Sequence, residues 1–326
     1  MDIKGQRMKS IARAMACALT LVAGHAMAQV ASPAAPEAAP AKPWSDITEV
    51  VVRAHAPGPA MWKLARGDST LWVMGTLHVA PKDVAWDATR FQRVLSGAHL
   101  LILPRVVHDD MVSEQDMELP DSQPLSEVVA SDTYARYRAT LAREAFDGLP
   151  TGLAYQPAWA GAWLISRVYE AHGFTTHIVP PEVAVLAGQS GVAVKYVDRH
   201  TTRLQARQYF HLDKAIGEAC LTDYLDSIDH DIATVDAMGK AWAEGDVPAI
   251  LAKHRDPAWV TCFLAQPKYA QIYETYAVDD MVKAVDKALQ TPGKSVAVMP
   301  LSDLLRQGGI LDRLRAEGVT ITAPAD

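Results

Sequence analysis

Two stretches near opposite ends of the chain, Leu71 to Leu103 and Ser295 to Ile321, carry the same alternation of strand, helix and strand, with a long stretch of helical character between them. In the first, Leu71 to Gly75 and the apolar run Leu100 to Leu103 read as strands around a helix from Trp86 to Ser96, where Phe91, Val94 and Leu95 recur at helical spacing. In the second, Ser295 to Met299 and Val319 to Ile321 flank a helix from Gly309 to Ala316. Strands that alternate with helices bury their apolar faces as a helix-covered sheet. The pattern therefore predicts a mixed α/β (α+β mixed) fold, with a central sheet built from N- and C-terminal strand-helix-strand units and a long helical insertion over about 130–290.

Finer features fit that frame. Trp62 to Ala65, a Gly67-Asp68 turn and Leu71 onward predict a hairpin, and Val50 to Val52 an edge strand before Pro57-Gly58-Pro59. Tyr134 to Glu144, Pro157 to Ala171 and Ala184 to Gly188 read as helices, and β-branched Val192 to Val197 as a buried strand. Thr201 to Ala252 is helical in character with breaks near Gly217 and Gly245, and Lys268 to Leu289 adds further helix.

Lys4, Arg7, Lys9 and Arg13 precede the apolar run Ala14 to Ala23, which ends in the small-x-small triplet Ala26-Met27-Ala28. That is the form of a secretory signal peptide (1–28) cleaved after Ala28, too short for a stable membrane span. The Ala/Pro-rich stretch that follows reads as a linker, 29–45, ahead of a single domain, 46–326, in a periplasmic or secreted protein. Cys17 leaves with the signal, so Cys220 and Cys262 remain as the expected disulfide in an oxidising compartment.

With 49% hydrophobic and 21% charged residues, the 326-residue chain can bury a core and is not a disordered tail. Its net charge of −7 offers no basic face, which argues against a nucleic-acid partner. There is no G-x-S-x-G elbow, no phosphate-binding glycine loop and no H-E-x-x-H helix, so esterase, nucleotide-binding and zincin readings lack their anchors.

The sharpest local feature is Leu71-Trp72-Val73-Met74-Gly75-Thr76-Leu77-His78, a strand running into a glycine and then a histidine. Such a histidine stands at the carboxyl end of a strand, where open α/β sheets bind ligands. Among other candidates, His108-Asp109-Asp110 reads as a solvated loop, and His172 and His177 as exposed loop histidines. His230 and Asp231, with Asp223, Asp226 and Asp229, read as the solvated face of a helix, and Trp159 with Trp163 as core packing.

Gly75-Thr76-Leu77-His78 resembles the first G-x-x-H motif of the TraB/GumN family, related to Tiki-type metalloproteases and to the erythromycin-esterase and ChaN-like fold group. Ala241-Trp242-Ala243-Glu244-Gly245-Asp246 is similar to its Trp-x-x-Gly-Asp segment, and Gly309 to Leu314 with Glu317-Gly318-Val319 to its closing element. The resemblance implies a metal site made by the first histidine, a glutamate ending the second strand and a second G-x-x-H near the C-terminus. Here the glutamate position is Pro104, and Pro300-Leu301-Ser302-Asp303 stands where the second motif is expected.

One imidazole supplies one lone pair, and a divalent ion needs several. The implied substitute is a His78, Asp303 and Asp198 cluster for an ion such as Mn²⁺ or Co²⁺, with no residue at Pro104 to activate water. These departures favour a non-catalytic or catalytically degenerate relative that binds a peptide, glycan or envelope partner in the ancestral cleft. The alternative is a weak metal-dependent, peptidase-like hydrolase that uses His78 and Asp303.

Overall fold

The computed structural model describes residues 58–324 apart from 109–112, 147, 149–151, 178, 202–211, 267–269 and 272–273. The expected signal peptide, linker and Val50 to Val52 strand, together with Asp109 and Asp110, lie outside the described residues.

The strands are β1 (Met61–Arg66), β2 (Ser69–Thr76), β3 (Ala80–Pro81), β4 (Leu100–His108), β5 (Phe174–Thr175), β6 (Ala193–Thr201), β7 (Gly293–Pro300) and β8 (Thr320–Thr322). Six of them form one sheet in the order β6-β4-β7-β2-β1-β8, and β3 pairs with β5 apart from it. β2, β7, β4 and β6 run parallel, while β1 is antiparallel to β2 and to β8. The two ends of the chain thus meet in one mixed sheet, as their shared alternation predicts. The main helices are α1 (Thr89–Leu95), α2 (Ser131–Arg143), α3 (Pro157–Ala171), α4 (Pro181–Ser190), α5 (Lys214–Ala243), α6 (Val247–Leu251), α7 (Ala258–Leu264), α8 (Asp280–Leu289), α9 (Leu301–Leu305) and α10 (Ile310–Ala316).

Alternation along the strands sorts side chains to two cores. Met61, Met74, Leu101, Leu103, Val296 and Val298 pack with Phe91, Val94 and Leu95 of α1 and Val183 and Ala187 of α4. Trp62, Leu64, Leu71, Val73, Ile102, Ala297 and Met299 face the other way, onto α8 and α10. A third core holds the helical layer together, with Tyr137 and Leu141 of α2, Leu164 and Val168 of α3, and Leu221, Leu225 and Ile228 of α5. Trp159 and Trp163 pack against it, as expected. Cys220 on α5 and Cys262 on α7 lie at disulfide distance, their Cα atoms 5.4 Å apart.

Several expectations need correction. The first crossover helix begins at Thr89, not Trp86, because the Asp87 carboxylate accepts from the Thr89 N–H at 2.8 Å and starts it there. The strand expected to end at Pro104 runs on to His108, since proline tolerates the extended conformation and stands past the last β4–β7 pair, Ile102 opposite Ala297. Gly217 does not break a helix: α5 runs unbroken from Lys214 to Ala243, with the Asp213 side chain capping it through the Ile216 N–H. The break at Gly245 is real, at φ 74°. The strand at Val192 to Val197 sits at the sheet edge with β4 as its neighbour in the sheet, which leaves Tyr196 43% exposed rather than buried.

Candidate functional site

β2 and β7 are adjacent and parallel, and the chain leaves their carboxyl ends toward opposite faces: through α1 after β2, through α9 and α10 after β7. A crevice opens at such a switch point. Thr76 lies opposite Pro300 in register at its mouth, and His78 follows two residues on. Two sequence motifs meet behind it. The Trp242 indole N–H donates to the Gly75 carbonyl at 2.8 Å, which ties the end of α5 to the end of β2. A Cβ on Gly75 would stand 2.3 Å from the Leu301 Cδ2 and 3.1 Å from the Trp62 ring, so a larger residue there requires the Leu301 side chain to move.

The ring contact of His78 is with another histidine. Its ring meets the ring of His254 edge-on, with centroids 5.9 Å apart and planes at 88°. Burial lowers its pKa to about 3, helped by His254 and His230, so the imidazole is neutral across the physiological range. His254 faces the Asp256 carboxylate at 3.4 Å, and His230 meets the Lys253 carbonyl at 2.8 Å. Asp198 is held in a bidentate pair by Arg105, both contacts at 2.8 Å, and the guanidinium also lies 4.5 Å over the Tyr196 ring. Arg105 stands one residue beyond Pro104, in register with Asp198. Asp303 is 2% exposed, in the first turn of α9 directly after Pro300.

The expected His78, Asp303 and Asp198 cluster is therefore not assembled. Among the described residues no group of three or more His, Cys, Asp or Glu side chains is placed to hold a metal ion. A divalent cation at this edge would lack the converging donors that the resemblance implies.

The acidic run on α5 also differs from expectation. Asp231 is buried, and the Tyr169 hydroxyl donates to its carboxylate. Burial raises its pKa against the opposing hydrogen bond. Asp223 is raised by burial as well, although Arg255 pairs with it, while Arg136 pairs with both Asp226 and Asp229. Helical phase is the reason: Asp231 falls three after Ile228 and four before Val235 on the buried stripe of α5, a position legible in the sequence. His172 is held by Glu144 at 2.8 Å.

Beside the crevice runs a groove that sequence reasoning missed. Its inner part is lined by Thr76, Leu77, Trp86, His177, Glu182 and Trp242. It shares Pro81, Val84 and Trp86 with an outer pocket of about 560 Å³ walled by Asp87, by Asp236 and Lys240 of α5, and by Glu244 just past its end. Gly239 lets β3 reach α5 there, since a Cβ on it would stand 2.7 Å from the Pro81 Cδ. The clue was Trp86, once it is taken out of the helix.

The model of the TraB/PrgY/gumN family matches residues 60–323, most of the chain. The chain belongs to the TraB/PrgY/gumN family. Neither the curated proteins nor the solved structures give a match. The features of this family member now have places: the Gly75 motif ends β2, the Trp242 segment closes α5 and bonds to it, and the closing element forms most of α10 and the turn that leads into β8.

Proposed function

We propose that this TraB/PrgY/gumN protein is a binding member of its family, acting after export, that takes a peptide into the groove beside the β2 carboxyl edge. The observation that carries the reading is Arg105. It follows the proline that stands where the resemblance places a glutamate, and it engages the Asp198 carboxylate in a bidentate pair. A hydrolytic site needs a water activator and converging ligands, and the donor set here fits neither. The groove supports a peptide, because it combines an apolar floor at Pro81, Val84 and Trp86 with polar walls. Export is supported by the Cys220 and Cys262 pair and by the leader-like first 28 residues.

Calorimetry on the purified protein tests the reading, with Mn²⁺, Co²⁺ and Zn²⁺ titrated into the parent and His78→Ala and hydrolysis of a mixed peptide pool followed in parallel. We expect no His78-dependent metal binding and no cleavage, but retention of peptides from the pool. Micromolar metal binding that disappears in His78→Ala, together with metal-dependent cleavage, would instead establish the hydrolase.

A further inference from the structure

The groove beside the β2 carboxyl edge is lined by rings. Trp86 and Trp242 meet with centroids 5.7 Å apart, and Pro81, Pro180 and Pro181 extend the apolar lining. Trp242 is buried and its indole N–H is taken by the Gly75 carbonyl, so half-buried Trp86 supplies the accessible aromatic surface. Aromatic-lined grooves of this kind receive polyproline segments, whose backbone proline has already fixed and which therefore lose little entropy on binding.

The chain enters the described domain at this same place. Gly58 is the first described residue. A Cβ on it would stand 2.5 Å from the Asp87 carbonyl oxygen, and a Cβ on Gly245 would stand 2.9 Å from the Gly58 carbonyl oxygen. Asp87 and Glu244, next to these contacts in the chain, line with Trp86 the outer pocket that continues the groove. What precedes Gly58 in the sequence therefore sets out from the rim of that pocket.

Upstream of Gly58 stands a P-x-x-P element, Ala39-Pro40-Ala41-Lys42-Pro43-Trp44. Pro43 lies fifteen residues before Gly58, a stretch that spans up to about 50 Å when extended, and the pocket begins at the residue Gly58 abuts. The two prolines favour the polyproline conformation, and the alanines keep the segment narrow. Lys42 is opposite in charge to Asp87 and Glu182 of the groove lining, whereas Pro33-Ala34-Ala35-Pro36 repeats the spacing without a cation.

Resting on the peptide-binding reading above, we propose that the resident occupant of the groove is the chain's own Ala39–Trp44 segment, which lies against Trp86 and has to be displaced by an incoming peptide. A tethered segment acts at an effective concentration of about 1 mM. For a segment that binds at about 0.1 mM, the groove is then filled about nine-tenths of the time, and a competing peptide binds about tenfold more weakly.

The test compares the full chain with its Pro40→Ser, Pro43→Ser double variant. The probe is acetyl-Ala-Pro-Ala-Lys-Pro-Trp-amide, titrated by calorimetry, and the peptide pool of the previous test is applied to both proteins. The probe should bind the double variant about tenfold more tightly than the parent, and the double variant should retain more of the pool. In nitrogen-15 spectra, with Trp86→Phe to assign the signal, the Trp86 indole N–H should differ between parent and double variant. Adding the probe to the double variant should return the signal to its parent position.

Equal binding of the probe to both proteins, or no binding to the double variant while the pool is retained, overturns the resident segment and leaves the peptide-binding reading standing. A Trp86 signal that changes on dilution of the parent assigns the occupant to a second copy and overturns docking within one chain. Failure of the probe and of the pool on both proteins removes the peptide-binding reading as well.

Discussion

At the residue scale, a few positions decide the character of the site. Gly75 is the point where β2, α9 and the Trp62 ring come together, and a methyl added there displaces the Leu301 side chain. Gly75→Ala is expected to cost about 1–3 kcal/mol through overpacking, read as a lower midpoint in urea. His78 gives a pH prediction whose sign follows from burial. The unfolded chain takes up a proton at this histidine near pH 6.5, whereas the folded chain resists until about pH 3. Between those values the unfolded state holds more protons, so stability from this group is intact above pH 6.5 and falls as the pH is lowered, by up to about 1.4 kcal/mol per pH unit. His78→Gln should flatten the stability profile between pH 6.5 and 4 in urea titrations at stepped pH, and an unchanged slope would contradict the burial argument. Pro104 stands where the resemblance places a glutamate, and Arg105, the next residue, engages the Asp198 carboxylate in a bidentate pair.

At the element scale, α5 does most to position the site. At thirty residues it is about 45 Å long, and it serves the helical core, the disulfide pair and the groove wall along its length. In the structure Leu221, Leu225, Ile228 and Val235 form its buried stripe, whereas the acidic residues between them read in the sequence as a solvated face. The pairing of Asp226 and Asp229 with Arg136 of α2 depends on a neighbour 90 and 93 residues away in the chain, so no local pattern could announce it. Two predictions belong here. Replacing Cys220 and Cys262 by alanine opens a loop of 42 residues and should cost roughly 4 kcal/mol, seen as a thermal midpoint lowered to the value of the reduced parent. Trp242→Phe removes a hydrogen bond that fastens α5 to the end of β2 and should cost about 1 kcal/mol, while lowering protection of the Gly75 region in hydrogen exchange.

At the scale of the whole molecule, the return of the C-terminal unit to the centre of the sheet creates the site. β7 inserts between β4 and β2, and the opposite departures from β2 and β7 open the crevice beside which His78 and the groove lie. Among the described residues no helix is long and apolar enough to cross a membrane. If the first 28 residues act as a leader, protein recovered from the cell envelope should begin at Gln29, and N-terminal sequencing that finds Met1 intact would contradict export.

The sequence by itself determined the α/β class, the strand and helix alternation at both ends, the cysteine pair and the motif that ends β2, because periodicity and glycine placement are local properties of the chain. The resemblance also placed Pro104 where a glutamate was expected. Only the tertiary structure decided which groups meet: His78 with His254, Asp198 with Arg105, Trp242 with Gly75, and Trp86 with the acidic face of α5. Those contacts join residues far apart in the chain, and their geometry is set by how the sheet twists and the helices pack on it, which no spacing within one segment encodes.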